Sequence, residues 1–250
     1  MVKEFDQYWA VILGGSSGLG LAAAKKLAAH GMNICIIHRD PRIEMERINS
    51  EFEKIRDVKL LSFNIDVLNA EKRAEVLNQL TGHVRCLLHS IARGNLKDVE
   101  TLTNDDFKLT MDYMAFSLAD WVKDLKDRRL FAPDARVLAF TSEGSTRAWK
   151  HYAAVSAAKA SLEAITRNIA LEYAPAGIRA NCIQAGITNT RSLQMIPGSE
   201  QLIAHDIKRN PFQRLTTPED VANVVYLLCK DEAAWINGAV IPVDGGSRIC

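Results

Sequence analysis

The stretch Trp9-Ala-Val-Ile-Leu-Gly14-Gly15-Ser16-Ser17-Gly18-Leu19-Gly20-Leu-Ala-Ala-Ala-Lys-Lys-Leu-Ala-Ala-His30 decides the fold. Five apolar residues read as a buried strand and run directly into a glycine-rich turn, which opens an alanine- and leucine-rich helix. Glycines at a strand–helix junction allow a tight turn and let the backbone approach a pyrophosphate. The phosphates then meet the N–H groups at the helix start. The spacing is Gly14-x3-Gly18-x-Gly20 rather than the commoner GxGxxG. A glycine turn without a ligand is the alternative, and its place in the first βα unit of an alternating chain favours the dinucleotide reading.

Working outward, short apolar runs alternate with helical patterns to the end of the chain. Strands are expected at Trp9–Leu13, Asn33–Ile37, Val58–Phe63, Cys86–His89, Ala135–Phe140, Arg179–Ile183 and Ala239–Val243. Helices are expected near 20–30, 42–56, 70–80, 104–129, 152–173 and 218–229, the last with Thr217 as cap and Pro218 in its first turn. This alternation predicts an α/β fold, a single-domain doubly wound sheet of seven parallel strands with helices on both faces. One domain spans 1–250. There is no internal repeat, low-complexity segment or linker.

Composition narrows the function classes. The 250 residues are 48% hydrophobic, enough for a full core. A net charge of +1 with both signs interspersed argues against nucleic acid as a partner. Cys35, Cys86, Cys182, Cys229 and Cys250 form no CxxC pair, which suits a reducing compartment. The opening MVKEFDQYWAVILGG lacks the apolar core of a signal peptide, and no apolar run reaches the roughly 20 residues of a membrane span. The expectation is a soluble, cytoplasmic protein with no membrane association.

Polar residues collect at the carboxyl ends of the predicted strands, where open α/β sheets bind ligands. The second strand ends at His38-Arg39-Asp40. An acid at this place takes a ribose 2′-OH; here His38 is followed by Arg39, which is suited to a 2′-phosphate and favours NADPH over NADH. Asp40 blurs that preference. Asp66 and Val67 follow the third strand, Ser90, Ile91 and Ala92 the fourth, and Ser142 the fifth. His89 has no partners at metal-ligand spacing and reads as a packing histidine. Farther along, Tyr152 to Glu172 reads as one helix, with Tyr152 and Lys159 seven residues and nearly two turns apart on one face. An ammonium beside a phenol lowers the phenol's pKa and suits it to serve an oxygen that gains negative charge.

Gly14-x3-Gly18-x-Gly20, Asp66-Val67, Ser142, Lys159, Asn181 and Val243-Asp244-Gly245-Gly246 together resemble the short-chain dehydrogenase/reductase superfamily over essentially the whole chain. The tyrosine that superfamily most often carries four residues before the lysine falls at Val155. Tyr152-x6-Lys159 is instead similar to its enoyl-acyl-carrier-protein reductases. His89-Ser90-Ile91, Asp112, Lys159-Ala-Ser-Leu-Glu163 and Ala185-Gly186 agree with that branch. Ser142 stands where the best-known enoyl reductases carry a second tyrosine, and the glycine loop is more intact than theirs. The combination resembles a divergent, NADPH-using subgroup.

The resemblance implies reduction of the trans-2 double bond of an enoyl thioester, carried by acyl carrier protein or coenzyme A, in fatty acid synthesis. Tyr152 would stabilise the enolate, Lys159 would bond the nicotinamide ribose, and Ser142 would assist at the thioester carbonyl or the tyrosine. Gly14, Ser16, Ser17, Gly18, Leu19, Gly20, Arg39, Asp66, Val67, Ser90, Ile91, Ala92, Gly186, Thr188 and Thr190 would hold NADPH, with NADH an alternative. The three-residue shift moves the tyrosine's root by about 4.5 Å and about 60°, in keeping with an acceptor oxygen remote from the carbon that takes hydride. Residues 188–211, with Leu193, Met195, Ile196, Leu202 and Ile203 around a Pro197-Gly198 turn, read as a lid over an acyl chain. Lys208, Arg209 and Arg214 are candidates for contact with an acidic carrier protein, or for a solvated basic face. A homotetramer is implied as well. A carbonyl reductase of the same superfamily and a non-catalytic NADP(H)-binding sensor are the rival readings. Val155 speaks against the first, and the retained Tyr152, Lys159 and Ser142 against the second.

Overall fold

The computed structural model describes residues 4–196 and 198–250. Residues 1–3 of the opening stretch, and Pro197 of the expected lid turn, lie outside the described residues. In chain order the elements are β1 (Trp9–Leu13), α1 (Gly18–Ala29), β2 (Asn33–His38), α2 (Met45–Phe52), β3 (Leu60–Asn64), α3 (Ala70–Leu77) and β4 (Val84–His89). Next come α4 (Asn104–Met111), α5 (Ser117–Asp127), β5 (Phe131–Thr141), α6 (Ala153–Glu172), β6 (Ile178–Ala185), α7 (Arg191–Gln194), α8 (Ser199–Arg209), α9 (Pro218–Cys229) and β7 (Val240–Val243).

The seven strands form one parallel sheet in the order β3-β2-β1-β4-β5-β6-β7. Side chains alternate across it with a period of two. Trp9, Val11 and Leu13 of β1 face a core completed by α3, α5 and α6, while Ala10 and Ile12 face one completed by α1, α2 and α9. The doubly wound architecture follows from burying both faces of these apolar strands. The strand order reverses between β1 and β4, and at such a switch point the loops diverge and leave a crevice at the carboxyl edge.

Where element bounds differ from the sequence reading, buried polar groups explain much of it. β4 begins at Val84 because Arg85, which interrupts the apolar run, is buried: it donates to Cys229 O at 3.1 and 2.8 Å and to Asp134 Oδ2 at 2.7 Å. β5 extends back to Phe131 through Asp134, which also receives Arg136 and Arg179. Arg136 bonds Leu228 O and Lys230 O as well, so arginines close the carboxyl end of α9 against the sheet. β3 starts at Leu60 rather than Val58, and the helix expected at 42–56 opens as a 3-10 turn at Arg42–Glu44 and ends at Phe52.

The helix expected at 104–129 is broken by a π-helical turn at Asp112–Phe116. Such turns insert an extra residue into the ladder and often stand at functional sites. This one carries Tyr113 and Met114 to the carboxyl edge of the sheet. The two helical pieces expected within 188–211 are α7 and α8. Among the described residues no helix is long and apolar enough to cross a membrane.

Candidate active site

A cleft of about 940 Å³ opens at the carboxyl ends of the strands, within the usual size for a small-molecule site. Its first half is built from the glycine loop. Gly14 has φ +88°, and a Cβ there would lie 2.6 Å from Ser90 O; a Cβ on Gly20 would lie 2.2 Å from Gly14 O. These two glycines let α1 seat its first turn against the ends of β1 and β4. The turn is left open to an anion. Ser17, its N-cap, makes no side-chain cap bond and the first turn holds no acid, whereas α9 is closed by a box between Thr217 and Asp220. The residues present therefore fit the pyrophosphate of a dinucleotide.

Gly14, Ser16, Ser17, Gly18, Leu19, Arg39, Val67, Ser90, Ile91, Ala92, Gly186, Thr188 and Thr190 all line this cleft, as do Ser142, Tyr152 and Lys159. Gly20 and Asp66 do not line it. Gly20 is a packing glycine in the first turn of α1. Asp66 stands just behind the wall, and its Oδ2 accepts Tyr113 OH at 2.6 Å together with Arg39. Arg39 also donates to Tyr113 OH at 3.0 Å, and the Arg93 guanidinium lies 4.2 Å over the Tyr113 ring. His38 is buried, bonded to Asp40 at 2.9 Å and to Ser62 at 3.2 Å. The end of β2 thus offers the exposed Arg39, and the acid nearby, Asp40, is engaged by His38.

The second half carries the candidate chemistry. Tyr152 is the residue before α6, with φ −112° and ψ 4°, so the helix begins one residue later than the sequence suggested. Its ring lies over Gly144, where a Cβ would come within 2.5 Å of Cε1, and 5.2 Å from the Trp149 ring. Tyr152 OH is 3.4 Å from Ser142 Oγ. Lys159, buried in the same cleft, donates to Phe140 O at 2.6 Å. One turn farther, buried Glu163 accepts from Thr141 Oγ1 at 2.6 Å.

These surroundings overturn the expectation that Lys159 lowers the tyrosine's pKa. Burial raises the Tyr152 phenol above its ordinary value, opposed by the Ser142 hydroxyl and not by the lysine. Tyr152 is consequently a neutral hydrogen-bond donor near pH 7. Burial also pulls Lys159 down to about 8, against Cys182 and Glu163, which favour its charge. His89 is a packing residue, as expected. It is fully buried, bonded to Ser117 at 2.9 Å, and held to about 3 by burial and by the Lys159 charge. No cluster of metal ligands occurs among the described residues.

The far wall comes from the segment after β6. Thr188 bonds Gly186 O at 2.9 Å, and Thr190 caps α7 through Leu193 N at 3.4 Å. Leu193, Met195 and Ile196 line the cleft. Arg209 is not the surface cation that either sequence reading, a carrier-protein contact or a solvated basic face, expected. It turns inward, donating to both oxygens of Glu143 at 3.0 and 2.9 Å and to Asp206 at 3.1 Å. Arg214 is likewise engaged, by Asp220 at 2.6 and 3.1 Å, and Lys208 remains exposed. Sequence reasoning missed Tyr113, Glu143 and Asp206, because each is a single residue with no spacing signal and reaches the cleft only through tertiary packing.

Residues 14–248 match the profile of a family described as enoyl-(acyl carrier protein) reductase. Among curated relatives, the enoyl-(acyl-carrier-protein) reductase (NADH) FabI of Aquifex aeolicus is 29% identical over 90% of this chain and 85% of its own. A probable 2,4-dienoyl-CoA reductase of Bacillus subtilis is 29% identical over 94% of both chains. The crystal structure of the Aquifex aeolicus enoyl-(acyl-carrier-protein) reductase (NADH) superposes with a TM-score of 0.87 at 26% identity, covering 98% of each chain.

The lowered Lys159 pKa carries a stability signature. Below about 8 the folded state bears the full cost of the buried ammonium, and that cost disappears as pH rises towards the ordinary value of 10.5. The stability difference between Lys159→Met and the parent should therefore shift in the parent's favour across that window. The slope should be about 1.4 kcal/mol per pH unit in paired urea titrations. A difference independent of pH would show that the lysine is not held this way.

Proposed function

The chain belongs to the enoyl-(acyl carrier protein) reductase family, and we propose on that footing that it reduces the trans-2 double bond of an enoyl thioester. The observation that carries this reading is the placement of Tyr152 OH beside Ser142, with buried Val155 lining the cleft one turn on. A phenol at 152 serves an oxygen removed from the carbon that takes hydride, and Val155 has no proton to give a ketone. A nicotinamide dinucleotide, held when bound by the glycine loop and Lys159, would supply the hydride. Tyr152 then donates a hydrogen bond to the enolate oxygen as negative charge develops on it. Its burial keeps the phenol neutral and makes the interaction strong in a dry site. Ser142 orients the phenol. Lys159 keeps the field positive and, in contact with the ribose, positions the cofactor. Leu193, Met195 and Ile196 on the lid, residues 188–211, cover the apolar chain.

Loss of one oxyanion donor costs about 100- to 1000-fold in kcat. Tyr152→Phe should show a loss of this size on crotonyl thioester, followed by cofactor absorbance at 340 nm, with cofactor affinity nearly unchanged. Parallel assays with acetoacetyl and 2,4-dienoyl thioesters complete the comparison. Turnover of acetoacetyl thioester alone, or near-parental kcat in Tyr152→Phe, would sink the assignment.

Cofactor choice turns on Arg39. Its guanidinium, held by Asp66 and Tyr113 at the end of β2, supports NADPH, while the Aquifex aeolicus relative is named for NADH. The parent should have the higher kcat/KM with NADPH, and Arg39→Ala should lower the NADPH/NADH ratio about tenfold or more, the value of a charge-assisted hydrogen bond. An unchanged ratio would show that Arg39 does not choose.

Leu171 on α6, Trp235 and Ile249 are 76%, 97% and 79% exposed, apolar surface that supports a homotetramer. Light scattering at micromolar concentration should give four times the chain mass, and a monomer would refute it.

A further inference from the structure

The wall of the cleft facing Tyr152 is divided by polarity. On the α7 side stand Leu193, Met195 and Ile196; on the α8 side stand Glu143, Asp206 and Arg209. The polar side is compact and buried. Arg209, 12% exposed at its side chain, forks onto Glu143 at 3.0 and 2.9 Å and reaches Asp206 Oδ1 at 3.1 Å. Glu143 also takes Arg147 at 3.5 Å, so the two carboxylates are balanced by two guanidiniums. Asp206 is 1% exposed, yet its Oδ2 has no hydrogen-bond partner among the described residues. A buried carboxylate oxygen left without a donor is costly, and such atoms in a cleft wall call for a donor from a ligand.

An acyl thioester is divided in the same way as this wall. An apolar chain lies on one side of the thioester carbonyl, and on the other is a pantetheine arm rich in amide N–H and hydroxyl donors. With the carbonyl at Tyr152 and Ser142, the chain falls against Leu193, Met195 and Ile196, and a donor falls against Asp206.

We propose that Asp206, held by Arg209 and Glu143, is the acceptor of a substrate subsite that selects thioesters bearing an N–H or O–H donor, the amide of the pantetheine arm in the first place. The proposal rests on the enoyl thioester reading and names the part of the substrate that the polar wall takes. A polar acyl chain presents the same chemistry, and the experiment separates the two sources.

The test compares crotonyl-coenzyme A, crotonyl-N-acetylcysteamine, its 4-hydroxycrotonyl analogue and S-ethyl thiocrotonate on the parent, Asp206→Asn and Asp206→Ala. Cofactor affinity and Tm serve as controls of folding. The ratio of kcat/KM for the amide-bearing crotonyl thioesters over the S-ethyl ester should fall roughly tenfold or more in Asp206→Ala, and less in Asp206→Asn, which keeps an acceptor. If the ratio that falls is instead that of the 4-hydroxycrotonyl ester over its crotonyl parent, the donor is on the acyl chain and the acceptor role stands. Equal losses on all four thioesters would assign Asp206 a merely structural role and overturn the proposal. Calorimetric binding of butyryl-coenzyme A against S-ethyl thiobutyrate reads the same discrimination without turnover. Failure of reduction would then sink the activity reading, and failure of both the binding ratio and the 4-hydroxycrotonyl discrimination would sink the subsite.

Discussion

The site depends on two close backbone contacts. Gly20 can rest on the carbonyl of Gly14, and Gly14 on the carbonyl of Ser90, because neither glycine has a Cβ; a methyl group would enter to 2.2 Å in one case and 2.6 Å in the other. Such distances leave no soft atom to yield, since the obstructing groups are backbone. The contacts draw the start of α1 onto the ends of β1 and β4, where the sheet reverses its order. From that seating follow the open helix N-terminus, the position of Ser90-Ile91-Ala92 across from it, and the depth of the cleft between them.

Depth in turn sets the chemistry of the polar groups. Burial moves Tyr152 and Lys159 in opposite directions, each towards its neutral form, which is the effect of a low-dielectric wall on an acid and a base. Cys182 and Glu163 favour the lysine's charge, and its ammonium donates a hydrogen bond to Phe140 O. The tyrosine keeps its proton for the same dielectric reason. A donor and a fixed cation sharing one dry cleft stabilise a developing oxyanion better than either would in water, where solvent would screen both.

The parts of this arrangement that were legible in the sequence are those fixed locally. β1, the glycine loop and α9 with its Thr217-Pro218 start were readable because a few adjacent residues determine them. The seven-stranded parallel sheet and the family followed from the sum of such signals. The illegible parts are made by groups distant in sequence. Read from sequence, the fourth strand starts only at Cys86 and leaves out Arg85, whose guanidinium is satisfied by Cys229 O, 144 residues away. The π-helical turn at Asp112–Phe116 has no Gly or Pro to announce it, and Tyr113 meets Asp66 only once the turn has carried it there. Arg209 read as surface charge because its partners, Glu143 and Asp206, mean nothing until α8 is packed beside the loop after β5.

The position of the tyrosine shows how a change of chemistry is tied to packing elsewhere. A side chain at 152 stands before the first helical turn and lies down over the loop after β5, and there its ring needs the space that Gly144 leaves; a Cβ on Gly144 would reach within 2.5 Å of Cε1. At 155 the wall is closed from the other direction. Val155 packs so tightly against the loop after β4 that a Cβ on Gly94 would lie 3.0 Å from Val155 Cγ2 and from Met114 Sδ. An aromatic ring at 155 would have to displace that loop, and Met114 belongs to the π-helical turn that also presents Tyr113. The choice of tyrosine position is therefore a property of the loops after β4 and β5 and of the turn between α4 and α5, together with α6. Moving the phenol alone would leave Gly144 over a void and crowd Gly94, so Tyr152 and the two glycines form one steric unit.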